Sequence, residues 1–317
     1  MPDLYEQREP ISLAVVGVAH PHEGLVAQAA ENSRFHVVAF CDEGTDAGHD
    51  RDTTAEYYPD YNALLKDERI EMVAIDVPLE DRQDYAIRAM NAGFHAVVRP
   101  PFASDAAEGE RILKTSLKSD LVATCDMKGR DQADFLALRS ALEKANISTV
   151  YGLDGFRDFG DVSEAGFAAP DILEEYGLEL FDQLNMLHAG EVGAVETLVH
   201  RPREEAPAEH FCVNLSMRNR AWASLQGSIY GRGELPSWSA FAPGSVFTVS
   251  GGAVTIHGPT GREVQDEGTA PEDFWDNVYR AVREGEPLKC HPADIVRAMK
   301  LHAAAVESAE LEEPVTL

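Results

Sequence analysis

Ile11-Ser-Leu-Ala-Val-Val-Gly17, an apolar periodic stretch from about Glu23 to Ala30, and Phe35-His-Val-Val-Ala-Phe-Cys41-Asp42 together decide the fold. The first run reads as a short apolar strand ending on glycine, the second as a helix, and the third as a strand closing on an acid. That succession makes the unit that holds a nucleotide pyrophosphate and ribose. Glycine allows the tight turn, helix N-terminal amides meet the phosphate, and the acid accepts hydrogen bonds from ribose hydroxyls.

Working outward, strand and helix patterns alternate for about 125 residues. Tyr61 to Lys66 reads as a short helix and Met72 to Asp76 as a strand. Asp81 to Ala92 is an amphipathic helix stopped by Gly93, and Phe94 to Val98 is a buried strand. Ser104 is placed to cap a helix reaching Ser119, and Leu121 to Cys125 is a further strand. Such alternation predicts a parallel, doubly wound Rossmann sheet.

The pattern then changes. A helix over about Gln132 to Ala145, a strand from Ile147 and a helix over Gly177 to Ala189 precede a succession of strands between Ala194 and Val264. Met217-Arg-Asn-Arg220 and Ser250-Gly-Gly252 supply tight hairpin turns. The fold class expected is therefore α/β: an N-terminal Rossmann domain over residues 1–126 and a C-terminal α/β domain over 127–317 with an open, mainly antiparallel sheet. Helices return over Glu272–Glu284 and Ala293–Glu310, placed to pack back on the first domain.

The chain carries 27 basic and 55 acidic residues, a net charge of −28, and its cations are seven lysines and twenty arginines. A field of that sign repels nucleic-acid backbones and anionic lipid, which argues against both as partners. No stretch approaches the roughly 18 apolar residues of a membrane span. The acidic start, Met1-Pro-Asp-Leu-Tyr-Glu6, is unlike a secretory signal, so the expected location is the cytoplasm. Cys41, Cys125, Cys212 and Cys290 are far apart and without zinc spacing, so reduced thiols and no metal are expected. Charge repulsion of this size is tolerable where salt is high, which points to a halophilic cytoplasm; an acidic protein of an ordinary cytoplasm is the other reading.

Several landmarks recur in a familiar order: Pro78; Ala92-Gly93-Phe94-His95; Val98-Arg99-Pro100; Gly177 with Asp182; Phe274, Val278 and Gly285-Glu-Pro287; and Ser308-Ala309. Together they resemble the glucose–fructose oxidoreductase, inositol dehydrogenase and rhizopine-catabolism (Gfo/Idh/MocA) family, from about Ile11 to Ala309. The resemblance implies an NAD- or NADP-binding Rossmann domain, redox chemistry on sugars, inositols or related polyols, and dimers or tetramers assembled through the C-terminal sheet. It also implies that Gly17, Ala19, His20, His22, Asp42, Pro78, Arg99 and Pro100 surround the cofactor.

Departures from the family pattern fall on its chemical groups. Gly17, Ala19 and His22 stand where the phosphate loop has three glycines; the bulk of His22 implies a shifted helix start. His20 and His22 fit either phosphate or substrate contact, or exposed imidazoles of an N-terminal turn. Asp42 favours NAD over NADP because a carboxylate repels a 2′-phosphate, the other reading being a loop aspartate on an acidic chain. Arg99 replaces the lysine that touches the reacting hydroxyl and the nicotinamide, Met186 replaces the proton-moving histidine, and Arg82 replaces a further histidine.

Arginine keeps its proton near neutrality and methionine has none to give, so general acid–base help worth about 10²–10⁴ in rate is missing at these positions. Asp182, as orienter or base, and Lys128, as a positive group, are the candidate substitutes beside Arg99. His188 reads as packed. Asp154, Arg157 and Asp158 read as lining a sugar site or as a solvated loop. The functions in view are an NAD-dependent oxidoreductase on a sugar-like compound and a silent NAD- or sugar-binding relative acting as sensor or assembly subunit. A lyase or hydrolase that uses NAD as a bound redox shuttle would need acid and base groups that the sequence does not identify.

The charge reading is open to a direct check. Melting temperature should climb as KCl rises from low to molar concentration, and equal stability throughout contradicts the halophilic expectation.

Overall fold

The computed structural model describes residues 9–17, 25–42, 55–160, 171–187, 190–203, 206–230, 235–259, 261–266 and 270–317. They divide into two compact units: residues up to Asp126 with Glu272–Val296, and Met127–Pro271 with Arg297–Leu317.

The first unit begins with β1 (Ile11–Val16), α1 (Leu25–Glu31), β2 (Phe35–Cys41), β3 (Glu56–Tyr58), α2 (Tyr61–Leu64) and β4 (Met72–Ile75). It continues with α3 (Arg82–Asn91), β5 (His95–Val98), α4 (Ala106–Ser119) and β6 (Ala123–Cys125). All six strands run parallel in the order β3-β2-β1-β4-β5-β6. Every residue of β4 is buried, as a central parallel strand covered on both faces requires. Helix α3 ends at Gly93, whose φ of 97° supplies the left-handed turn into β5. The cap of α4 is Asp105, not Ser104: its carboxylate accepts from the Glu108 amide at 2.7 Å. Ile11, Leu13, Phe35 and Met72 form one core with Phe274, Trp275, Val278 and Tyr279 of the later helix Phe274–Glu284.

The second unit opens with a 3-10 turn over Lys128–Asp131, α5 (Ala133–Lys144), β7 (Gly152–Asp158) and α6 (Ile172–Met186). Then come β8 (Val192–His200), β9 (His210–Met217), β10 (Trp222–Ser228), β11 (Trp238–Ala242), β12 (Ser245–Ser250), β13 (Ala253–Gly258) and β14 (Gly261–Asp266). Helix α7 is Phe274–Glu284; α8 (Pro292–Leu311) and β15 (Val315–Thr316) end the chain order. The sheet order is β14-β13-β12-β11-β7-β10-β9-β8-β15.

The sheet is mainly antiparallel, as expected, with one parallel pair: β7 runs alongside β10 and separates it from β11. One expectation changes. Ile147 begins no strand: its amide bonds the Leu142 carbonyl at 2.9 Å as part of the turn that ends α5. The strand starts at Gly152. A Cβ there would lie 2.6 Å from the Trp222 ring, and one at Gly155 would lie 2.6 Å from Trp238. Glycine in β7 makes room for an indole on each face of the sheet, at the cost of local strand propensity.

One face of this sheet is covered by α5 on β11–β13 and α6 on β9 and β10. Asp134 at the start of α5 accepts from the Gly252 amide and from the Ser237 hydroxyl, tying the helix to the β12–β13 turn. Asp171 caps α6, accepting from the Leu173 and Ala208 amides and pairing with Arg201. On the other face Tyr151, Leu198 and Trp222 are exposed. No helix among the described residues is long and apolar enough to cross a membrane.

His302 of α8 lies against α6, its Nε2 2.7 Å from the Leu173 carbonyl, and burial lowers its affinity for a proton. A histidine held neutral by the fold stabilises above its unfolded pKa of about 6.5 and loses that contribution as pH falls. His302→Gln should therefore be less stable than the parent by about 1 kcal/mol near neutrality. The gap should narrow as the pH is lowered to about 5.5, followed by denaturant midpoints; a gap independent of pH contradicts the assignment.

Candidate functional site

The carboxyl ends of β1 and β4 meet at the place where the order of the parallel sheet reverses, since the chain lays β2 and β3 on one side of β1 and β4 to β6 on the other. In open parallel sheets this switch point is where ligands bind. Gly17 leaves β1 there with φ 84°, and its amide donates to the Cys41 carbonyl at 2.9 Å. A Cβ on Gly17 would lie 2.6 Å from both the Asp76 carbonyl oxygen and Val77 Cγ1. Only glycine satisfies both the backbone angle and the clearance.

Asp42 follows the end of β2, half-buried, and its carbonyl accepts from the Tyr57 hydroxyl at 3.2 Å. Gly17 and Asp42 thus stand at the exits of adjacent strands, as a pyrophosphate turn and a ribose acceptor must. These positions fit a pyridine dinucleotide. Ala19, His20 and His22, the rest of the expected phosphate loop, lie outside the described residues, as does His188.

Across β4 and β5 the exits are tied together by charge. Asp76 pairs with Arg99, Nη1 to Oδ1 2.8 Å, and Arg99 is 58% exposed. Pro78 is exposed and precedes a 3-10 turn, Leu79–Asp81; Pro100 is half-buried and its bond to Pro101 is cis. Arg82 is buried, donating from Nε to the Val77 carbonyl at 3.1 Å and from Nη1 to the Pro101 carbonyl at 2.8 Å. The sequence marked Arg82 only as a missing histidine. Its reach between two loops could not be read from a pattern of single residues.

In the second unit the structure gives Asp182 a different place from the one expected. Its carboxylate is fully buried and meets Arg130 in a fork, Nε to Oδ2 2.7 Å and Nη2 to Oδ1 2.6 Å. A carboxylate so held has its lone pairs engaged by the guanidinium, so the structure places Asp182, offered by the sequence as orienter or base, as the partner of Arg130. Its neighbours on α6 join it. Gln183 donates to the Gly129 carbonyl, and Glu179 accepts from Gln132 Nε2 at 3.4 Å.

These contacts clamp the turn Lys128–Asp131, which leaves Lys128 exposed beside a rigid anchor. Met186, at the end of α6, is half-buried. Asp154, Arg157 and Asp158 belong to β7 itself and do not converge. Arg157 pairs with Glu179 at 3.3 Å, while Asp154 shares the uncovered face with Ser224 and Ser239. Among the described residues no group of three or more histidine, cysteine or acidic side chains could hold a metal.

Residues 11–126 match the model of the GFO_IDH_MocA oxidoreductase family, described by its NAD-binding Rossmann fold. Over those residues the chain is similar to the Gfo/Idh/MocA family. An uncharacterized oxidoreductase of Schizosaccharomyces pombe is 25% identical over 158 residues, 48% of this chain and 42% of the yeast protein. The chain thus spans less than half the length of that curated relative. An oxidoreductase from Bacillus cereus matches with a TM-score of 0.81 at 15% identity, over 97% of this chain and 98% of that one. An oxidoreductase from Agrobacterium radiobacter, solved with NAD+, L-tartaric acid and magnesium, gives 0.78 at 17% identity over 96% and 98%. At such identities the likeness is one of fold.

The buried pair of the second unit makes a measurable claim. Arg130→Met or Asp182→Leu alone should cost about 3–5 kcal/mol, because each strands a buried charge. The double replacement should recover most of that loss in a denaturation cycle; additive losses contradict the pairing.

Proposed function

We propose that the protein is a pyridine-nucleotide-dependent oxidoreductase that acts at a hydroxyl- or carbonyl-bearing carbon of a sugar, inositol or related polyol or keto compound. The observation that carries this reading is the clearance at Gly17, a backbone cradle at the switch point that any side chain would fill. NAD is favoured over NADP because the acid at the end of β2, Asp42, suits two free ribose hydroxyls and repels a 2′-phosphate. Gly17, Asp42, Pro78 and Pro100 would hold the dinucleotide, which when bound supplies the hydride acceptor or donor.

Arg99 stands at the exit of β5 with a fixed positive charge. It stabilises negative charge developing on a substrate oxygen and leaves proton transfer to another group. Lys128, exposed on its clamped turn in the second unit, remains the other candidate cation. Assembly as a homodimer or homotetramer through the uncovered sheet face, with Trp222 and Tyr151 at its centre, belongs to the same reading, as does a salt-rich cytoplasm.

A second reading is favoured by two residues. Arg99 and Met186 supply no proton-transfer group, which suits a silent NAD- or sugar-binding sensor. Titration of NAD and NADP by calorimetry in molar KCl distinguishes the two when followed by assays on sugars, inositols and their keto forms. Tighter binding of NAD, with turnover, supports the enzyme, whereas binding without turnover supports the sensor. Failure to bind either nucleotide contradicts both nucleotide readings. Arg99→Lys combined with Met186→His should raise or create dehydrogenase turnover; a fall in an existing activity instead gives the arginine a role of its own.

A further inference from the structure

The exits of β4 and β5, with the turn that follows β4, hold two guanidinium groups, Arg82 and Arg99, and the carboxylates of Asp76, Glu80 and Asp81. Among the described residues Arg99 is paired with Asp76 through Nη1, and it is more than half exposed. Arg82 lies behind it, buried, and donates to two neutral carbonyls, those of Val77 and Pro101. Burial and the repulsion of Arg99 lower the proton affinity of Arg82, against the attraction of Asp76 and Glu80. Arg99 is thus the exposed cation of the locus, on a protein whose net charge is −28.

A buried arginine is a costly arrangement unless anions compensate it, and Asp76 and Glu80 do so for Arg82. Arg99 keeps its remaining N–H groups as a planar fork on the ligand side of the sheet, beyond the carboxyl ends of its strands. Neutral hydroxyls need no such fork. An oxyanion does, and a chain this acidic repels anions everywhere that local cations do not prevail.

We infer that the compound handled at this site is an anionic polyol, its oxyanion held by Arg99 with Arg82 fixed behind. Carboxylate and phosphate share the chemistry; a sugar acid or a sugar phosphate would each supply it. The inference rests on the proposed redox reading for the polyol part alone. The charge part stands on the exposed guanidinium of Arg99.

The test uses the full chain at one fixed KCl concentration, with NAD titrated first and by itself. D-gluconate, D-glucose 6-phosphate and neutral D-glucose are then titrated by calorimetry, with and without NAD. At least one anion should bind about tenfold or more tightly than glucose, the advantage of a charge-assisted fork. Arg99→Gln, an exposed and foldable change, should abolish that preference. Asp76→Asn should strengthen anion binding severalfold by removing the competing carboxylate.

Glucose binding as tightly as both anions, or a preference that survives Arg99→Gln, overturns the inference. NAD binding without anion preference defeats this inference and leaves the redox reading standing. Anion preference without NAD binding does the reverse.

Discussion

At Gly17 two parallel strands leave the sheet so close together that the space for a Cβ is already taken by the Asp76 carbonyl and Val77. The rest of the first unit is arranged around that approach. Strands β2 and β3 lie to one side of β1 and β4 to β6 to the other, so the crevice of the reversed order opens where the glycine turns. The neighbouring exits carry the groups that a ligand would meet: Asp42 after β2, and Asp76 and Arg99 after β4 and β5. The core beneath, with Trp275 and Tyr279 of α7 against Ile11 and Phe35, holds the strands in the register that brings those exits level.

The second unit solves a different problem, holding a short turn still with charge. Arg130 and Asp182 are both buried, and such a pair contributes less net stability than its geometry suggests, since both charges lost their water. What the pair supplies is specificity of position. With Gln183 on Gly129 and Glu179 packed against the same glycine, the turn has a single seat on α6. Cations are scarce in this chain, and placing one in the interior fits a role in positioning Lys128 and its neighbours.

Much of the fold was legible because local patterns and global packing agree. Strands β1, β2 and β9 fall where apolar runs and alternation place them, and α3, α4 and α5 follow 3.6-residue periodicity with recognisable stops. Strand β7 was not legible. Gly152-Leu-Asp-Gly-Phe-Arg-Asp158 lacks strand propensity because its glycines answer to two tryptophans about 70 and 83 residues away. The 3-10 turn at Lys128 and its clamp were likewise invisible, as each contact spans some fifty residues.

The order of residues alone determined the alternation of the first unit, the glycine and acid at its strand exits, the strand-rich second half and the scarcity of cations. These are properties of neighbours in the chain or of composition, and periodicity or counting reveals them. Tertiary structure alone decided that Asp182 is sealed against Arg130 and that Arg82 bridges two loops. It also decided that Arg99 meets Asp76 and that β7 lies between β10 and β11. Each of these depends on how distant segments exclude water from one another, and burial turns an ionisable side chain from a reactive group into a fixed charge.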